Sequence, residues 1–176
     1  MSAKLRFASL SVLLPGATCI YALFTKQYAM ALSCLISVAC VIAFALFHRK
    51  FPFLTTTTYY SVIILILLSL YAGKALMAYS FIPYWDKILH FFSGFVFAAA
   101  GSQLYVKLNG DTDNKILIKL FTLSFAIAAA GVWEIYEFTT DQILGISSQN
   151  GSLNDTMWDM IAGTVSAVIM VVFKKI

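Results

Sequence analysis

Charged residues are scarce in this sequence, and this limits the class of protein. Of the 176 residues, 8 are Asp or Glu and 12 are Lys or Arg, so that 11% of the chain is charged, against roughly a quarter in soluble domains. Hydrophobic residues make up 61%. This excludes an ordinary soluble globule. The formal net charge of +4 predicts no nucleic-acid partner, because the basic residues are distributed as in a membrane topology.

Cysteines are few, and several enzyme signatures are missing. The three cysteines lie in apolar runs, and an odd number in such positions indicates packing rather than a disulfide framework. No CxxC or Cys/His spacing supports a sulfur-ligated metal site. The sequence also contains no PSGH-type block of lipid phosphatases, no D-G-x-x-A-R block of CDP-alcohol transferases, no GxGD, no HExxH and no P-loop.

Apolar runs of about 20 residues, the length of a bilayer-spanning helix, recur along the whole chain. They predict an all-α, polytopic transmembrane bundle with six spans, at about Leu5–Phe24, Tyr28–Phe47, Thr57–Tyr79, Ile88–Val106, Ile116–Phe138 and Thr156–Phe173. The pair Pro15–Gly16 is expected to kink or break the first span. Residues 1–176 are predicted to form a single integral membrane domain. Its first three spans, about 5–79, would support a functional half at about 86–173.

Basic residues concentrate at alternate ends of the predicted spans. Nine of the twelve lie at one set of ends: Lys4, Arg6, Arg49, Lys50, Lys107, Lys115, Lys119, Lys174 and Lys175. The opposite ends hold Lys26 and Lys87, and Lys74 lies within the third span. Because Lys and Arg favour the cytoplasmic side of a membrane, both termini are predicted to be cytoplasmic.

The acidic residues show the opposite distribution. Five of the eight, together with one histidine, form pairs three or four residues apart: Asp86/His90, Glu134/Glu137 and Asp155/Asp159. This spacing places both side chains of a pair on one face of a helix. In the predicted topology, all three pairs lie at the outer ends of spans four to six. Ionisable groups in apolar segments are costly and usually functional.

Convergence of these pairs predicts a divalent metal site. The predicted ligands are His90, Glu134, Glu137 and Asp159. Asp86 and Asp155 are predicted to act as further ligands, as residues that orient a ligand, or as a catalytic general base. An oxygen-rich shell with one imidazole suits zinc, manganese, magnesium, calcium or iron, and disfavours copper(I).

Each pair also has a simpler interpretation. Asp86 can begin its helix at the positive end of the helix dipole, and Asn154 or Asp155 can cap the sixth span. Glu134 and Glu137 can extend to water at the membrane interface. These alternatives remain open from the sequence, and the coincidence of the three pairs favours a common site.

Two further residues are predicted to belong to the same region. Lys74 lies near the outer end of span three, and Asp141 lies in the predicted loop after span five. Lys74 can offset the repulsion between Glu134 and Glu137, or it can extend to the interface. His48 is expected to be a residue of the cytoplasmic interface.

Several of these residues form blocks that resemble known proteins. The segment Asp86–His90 followed by Gly94–Phe95 resembles the D-[KR]-x-x-H start shared by VanZ-like and YjdF-like bacterial membrane proteins. Glu134, Glu137 and the segment Asp155–Gly163 are similar to later blocks of the YjdF-like group.

This resemblance covers about Trp85 to Ala167, and it implies a multi-pass protein of the bacterial inner membrane. VanZ-like proteins are associated with resistance to glycopeptide antibiotics, which implies a role in the cell envelope. The chain lacks the proline–glycine–arginine segment of VanZ-like proteins between its acidic blocks, and this favours the YjdF-like side.

Three functions fit the predicted site. The first is a metal-dependent membrane hydrolase or transferase that acts on a lipid or lipid-linked envelope substrate. The second is a transporter that uses the acids as a cation or proton site. The third is a non-catalytic envelope or immunity protein whose polar cluster joins three helices. Membrane lipids are the expected partners, and no oligomeric state is predicted.

Overall fold

The computed structural model describes residues 2–110, 114–144 and 152–173. These residues form helices α1 to α8 and one π-helix, and they contain no strand: Ala3–Ser11 (α1), Leu13–Phe24 (α2), Tyr28–Lys50 (α3), Thr56–Ile66 (α4), Leu67–Ala75 (π), Ala78–Phe81 (α5), Trp85–Asn109 (α6), Lys115–Leu144 (α7) and Leu153–Phe173 (α8). The predicted all-α class is confirmed.

Six helical segments are long and apolar enough to cross a membrane: Ala3–Phe24, Tyr28–Lys50, Thr56–Ala75, Trp85–Asn109, Lys115–Ile143 and Leu153–Phe173. The protein is therefore a polytopic helical bundle, as predicted. The cytoplasmic location of the termini stays a prediction, and Lys174 and Lys175, which contribute to it, lie outside the described residues.

The first span is broken, as predicted, but the break precedes the Pro15–Gly16 pair. Helix α1 ends at Ser11 and α2 begins at Leu13, with Val12 between them. Proline lacks an amide proton, and its ring clashes with the carbonyl four residues earlier, which here belongs to Ser11. Pro15 is tolerated in the first turn of the new helix, and the interruption lies on its N-terminal side.

The third span differs most from expectation. Helix α4 continues directly into the π-helix, which ends before Met77, a residue in the left-handed conformation with φ 61°. The ring of Tyr79 occupies the space that a Cβ atom at Gly73 would need. The hydroxyl groups of Tyr71 and Thr18 lie 2.8 Å apart and link this π-helix to α2. The third span therefore ends at Ala75, four residues before the predicted Tyr79, and its second half is a π-helix.

The last three spans approach each other closely, because small residues face each other. A Cβ atom at Gly94 of α6 would clash with the Ser166 hydroxyl and the Gly163 carbonyl of α8. One or two turns away, a core of small residues joins α6, α7 and α8: Ala98, Ala126 and Ala167, packed by Phe97, Leu123 and Met170. Small residues therefore allow close helix approach here.

The chain divides into two compact units, Met1–Trp85 and Asp86–Ile176. The first contains α1 to α5 and the π-helix, and its core includes Cys34, Tyr71 and Ala75. The second contains nearly all of α6 together with α7 and α8. The assignment of a supporting role to the first half and a functional role to the second stays a prediction.

Candidate functional site

Helix α6 places an aspartate, a lysine and a histidine in its first two turns. The helix begins at Trp85, three residues before the predicted boundary, so that Asp86 lies in its first turn. His90 follows one turn later and is only 6% exposed. Its Nε2 atom lies 3.7 Å from Oδ1 of Asp86, so that a single bridging atom would suffice to connect them.

Helix α7 brings two glutamates to the same imidazole. Glu134 and Glu137 are 5% and 7% exposed, and Oε1 of Glu134 lies 3.7 Å from Nε2 of His90. Helix α7 extends to Leu144 rather than ending at Phe138. The negative end of the helix dipole acts on the last turn of a helix. Both glutamates lie before the last turn of α7, so the dipole does not act on their carboxylates. They are buried in the bundle instead of extending from its surface.

Helix α8 contributes the two aspartates, which share a lysine. Nζ of Lys87 donates a hydrogen bond of 2.8 Å to Oδ2 of Asp159 and a direct one to Oδ1 of Asp155. It also lies 3.7 Å from Oδ2 of Asp86. Lys87 therefore ties the start of α6 to the start of α8 through ion pairs.

Capping does not account for the aspartates of α8. The helix begins at Leu153. The hydroxyl group of Ser152 accepts a hydrogen bond of 3.2 Å from the backbone amide of Asn154. Ser152, rather than Asn154 or Asp155, thus caps the first turn. Asp159 lies more than one turn into the helix and is 1% exposed. Its Oδ1 atom is buried and has no hydrogen-bond partner among the described residues.

Two overlapping sets of side chains have the geometry to hold a metal ion. One consists of Asp86, His90 and Asp159, and the other of His90, Glu134 and Glu137. Within each set, one ligand atom from every residue lies within 4.8 Å of the others. His90 belongs to both sets and lies at the point where the three helices meet.

The charges of this cluster favour a cation. Five carboxylates and one lysine converge here, so the group is net negative when its members are ionised. Buried charges are stable only when they are paired or bound to metal. The Oδ1 atom of Asp159 lacks a hydrogen-bond partner among the described residues, and a metal ion or a proton would satisfy it.

The two accessory residues lie differently from the predicted ligands. Lys74 is exposed near the end of the π-helix in the first unit, and its proposed pairing with the acids stays a prediction. Asp141 is half-buried and belongs to α7, because that helix includes the first residues of the predicted loop. It lies one turn beyond Glu137 and is in neither ligand set.

Lys87 is the member of the cluster that the sequence analysis missed. It was treated only as an exception to the distribution of basic residues. A lysine beside Asp86 at the start of an apolar segment, on the side where the acids gather, was the available signal.

A family comparison places the chain in a family of membrane proteins. The model of the family described as predicted membrane protein (DUF2238) matches residues 7–176, and the chain belongs to this family. The resemblance to VanZ-like or YjdF-like proteins in particular stays a prediction.

The chain is also similar to a protein of Thermotoga maritima that carries the description "uncharacterized protein". The two are 34% identical over 105 residues, which cover 58% of this chain and 55% of the relative. The matched part thus spans about half the length of that relative. No solved structure matches the chain.

Proposed function

We propose that this protein is a metal-dependent membrane enzyme that acts on a lipid or lipid-linked substrate of the cell envelope. The observation that carries the proposal is the meeting of His90 with carboxylates from three helices, whose ligand atoms lie within 4.8 Å of one another in each set. The membrane class follows from the family and the six candidate spans. The reaction and the envelope substrate are proposals.

In this proposal the metal is bound by His90, Glu134, Glu137 and Asp159. The last three offer hard oxygen ligands, and the imidazole adds one nitrogen, a combination that suits zinc, manganese, iron, magnesium or calcium. All four are less than 8% exposed. Ligands held by packed helices are already in place before the ion binds, which lowers the cost of ordering them.

The remaining polar residues have distinct tasks in this arrangement. Asp86 is partly exposed, with 20% of its side chain accessible, and lies near His90. It is suited to act as a further ligand or as a general base toward a water molecule. Lys87 fixes the carboxylate of Asp159 and also holds Asp155. A bound ion would polarise a phosphoryl or carbonyl oxygen, or lower the pKa of a water molecule.

A lipid is the expected substrate class because most of the described residues belong to the six helical segments that are long and apolar enough to span a membrane. Phosphate and ester groups of lipids are the electrophiles that a carboxylate-bound metal activates. The resemblance to VanZ-like and YjdF-like proteins supports a location in the bacterial inner membrane and a role in the cell envelope.

The experiment that tests the proposal is elemental analysis of the full chain purified in detergent. Wild type is compared with His90→Ala and Glu134→Ala, and with His48→Ala as control. His48 is the other histidine and is also 6% exposed. We expect a nearly stoichiometric divalent metal in wild type and in the control, and its loss from both site variants. Turnover of purified envelope lipids would then be assayed with the metal-loaded protein.

A different result would separate the other two functions. Absence of metal from wild type, even after divalent ions are added back, would contradict the enzyme proposal. The ion pairs of Lys87 with Asp155 and Asp159 favour a structural cluster as the second candidate. If the cluster is structural, the site variants should be strongly destabilised and the wild type should contain no bound ion. Cation- or proton-dependent uptake into proteoliposomes would instead indicate a transporter.

A further inference from the structure

All carboxylates of this protein lie in its second half. Residues 1–85 contain no Asp or Glu, although they carry six of the twelve basic residues: Lys4, Arg6, Lys26, Arg49, Lys50 and Lys74. No cation of the first unit can therefore form an ion pair with a carboxylate side chain of the same unit. Whatever neutralises these charges is not an acidic side chain of residues 1–85.

Four of these cations gather at one end of the first unit. Nζ of Lys4 donates a hydrogen bond of 2.6 Å to the carbonyl of Leu54 and lies 3.2 Å from Nε2 of His48. These contacts join the first turn of α1 to the last turn of α3 and to the segment before α4. Arg49 and Lys50 follow His48 directly, and Arg6 lies half a turn beyond Lys4.

Among the described residues, the contacts of the Lys4 ammonium group are with neutral groups. Besides the carbonyl and the imidazole, it lies 5.6 Å from the ring centroid of Tyr59. His48, which is predicted to lie at the cytoplasmic interface, and Tyr59 are buried, at 6% and 2% exposure. Nδ1 of His48 is buried and has no hydrogen-bond partner among the described residues. A partly buried cation in such surroundings is stabilised by a nearby anion.

Exposed apolar side chains lie beside the cations. Arg6, Arg49 and Lys50 are exposed. Leu5 and Phe47, on the same turns of α1 and α3, are 42% and 56% exposed. Basic groups at the end of a membrane helix attract anionic headgroups, and the adjacent apolar side chains provide contacts for acyl chains. A soluble anion would make no use of those apolar contacts.

We propose that this basic end of the first unit binds the headgroup phosphate of an anionic phospholipid. Arg49 and Lys50 make the direct contacts with the phosphate. Lys4 holds the ends of α1 and α3 together and adds its charge to the same region. This site is independent of the His90 cluster and does not require a metal.

The test uses the full chain in a neutral detergent, with native mass spectrometry to count retained lipids. Phosphatidylglycerol and phosphatidylcholine, matched in acyl chains, are added to wild type and to the double variant Arg49→Gln/Lys50→Gln. The control is Lys107→Gln/Lys115→Gln, which removes two exposed cations from the second unit. Each cation near an anionic lipid surface contributes about 1 kcal/mol, so the first variant should bind phosphatidylglycerol roughly 25-fold more weakly.

Three results would overturn the proposal. They are equal retention of the two lipids by wild type, equal loss of phosphatidylglycerol in the two double variants, and no loss in either. Inorganic phosphate is added as a competitor in a separate series. If inorganic phosphate displaces phosphatidylglycerol completely at millimolar concentration, the site binds a free anion, and the proposal of a lipid ligand is wrong. We expect little displacement.

Discussion

The ammonium nitrogen of Lys87 lies 2.8 Å from Oδ2 of Asp159, a carboxylate that is 1% exposed. The pair connects the first turn of one membrane helix to the second turn of another. The second oxygen of the same carboxylate has no hydrogen-bond partner among the described residues. One oxygen of Asp159 is thus held by the protein's own cation, and the other remains available to an added one.

Replacing Lys87 by methionine should destabilise the protein strongly. Removing one partner of a buried ion pair costs about 3–5 kcal/mol, because the other charge is left uncompensated. We expect a lower unfolding temperature in detergent, and partial recovery when the metal that copurifies with wild type is added. The double variant Lys87→Met/Asp159→Asn should be more stable than Lys87→Met alone. Additive effects of the two substitutions would show that the pair is not coupled.

Gly94→Ala should disrupt the packing of α6 against α8. The new methyl group would clash with the Ser166 hydroxyl and with the backbone carbonyl of Gly163, and the backbone cannot yield as a flexible side chain can. Overpacking of this kind costs about 1–3 kcal/mol.

Gly16→Ala is the matched control for that substitution. A Cβ atom at Gly16 has nothing within 4 Å, and alanine within a helix is favoured over glycine by roughly 0.5–1 kcal/mol. The two substitutions should therefore shift the thermal unfolding temperature in opposite directions. A shift in the same direction for both would contradict the close approach at Gly94.

Substitutions in the cluster should lower metal affinity in a defined order. His90 belongs to both ligand sets, so His90→Asn is expected to abolish binding measured by titration calorimetry. Asp86→Asn removes one carboxylate from only one of the two sets, and should weaken binding without abolishing it. Equal affinities for the two variants would contradict the central place of His90.

The link between α2 and the π-helix should make a small, measurable contribution to stability. Tyr71→Phe removes the hydroxyl group that lies 2.8 Å from Oγ1 of Thr18. A single hydrogen bond contributes about 0.5–1.5 kcal/mol, so we expect a modest decrease in unfolding temperature. Tyr28→Phe, at a residue that is 66% exposed, should leave it unchanged. Equal decreases in unfolding temperature for the two variants would show that loss of this hydrogen bond is not the cause.

The sequence predicted the features of the fold and the cluster that depend on local spacing. Long apolar runs define the six spans, and pairs such as Glu134 and Glu137 share a helix face whatever surrounds them. Their assembly around His90 was inferred from their common depth. The small residues that allow close helix approach, such as Gly94 and Gly163, were also visible in the sequence.

Features that depend on the rotation of one helix against another were not predictable. Lys87 reaches Asp159 because α6 and α8 approach closely near Gly94. The spacing of residues within one helix does not reveal how that helix is rotated against its neighbour. The π-helix was also not predictable from the apolar spacing; within it, the absence of a Cβ atom at Gly73 leaves space for the ring of Tyr79. The contact between His48 and Lys4 was not predictable either, because the two residues lie 44 positions apart in the sequence.

The ion pairs of Lys87 in α6 with the aspartates of α8 have a consequence for biosynthesis. A chain made from its N-terminus brings Lys87 and His90 into the membrane first, and then the two glutamates of α7. Both aspartate partners of the lysine arrive only with α8. Before that, the growing chain holds buried acids without the helix that completes their cluster, a costly condition in an apolar medium. The insertion of α8 therefore decides whether an intermediate becomes a mature protein or a substrate for quality control.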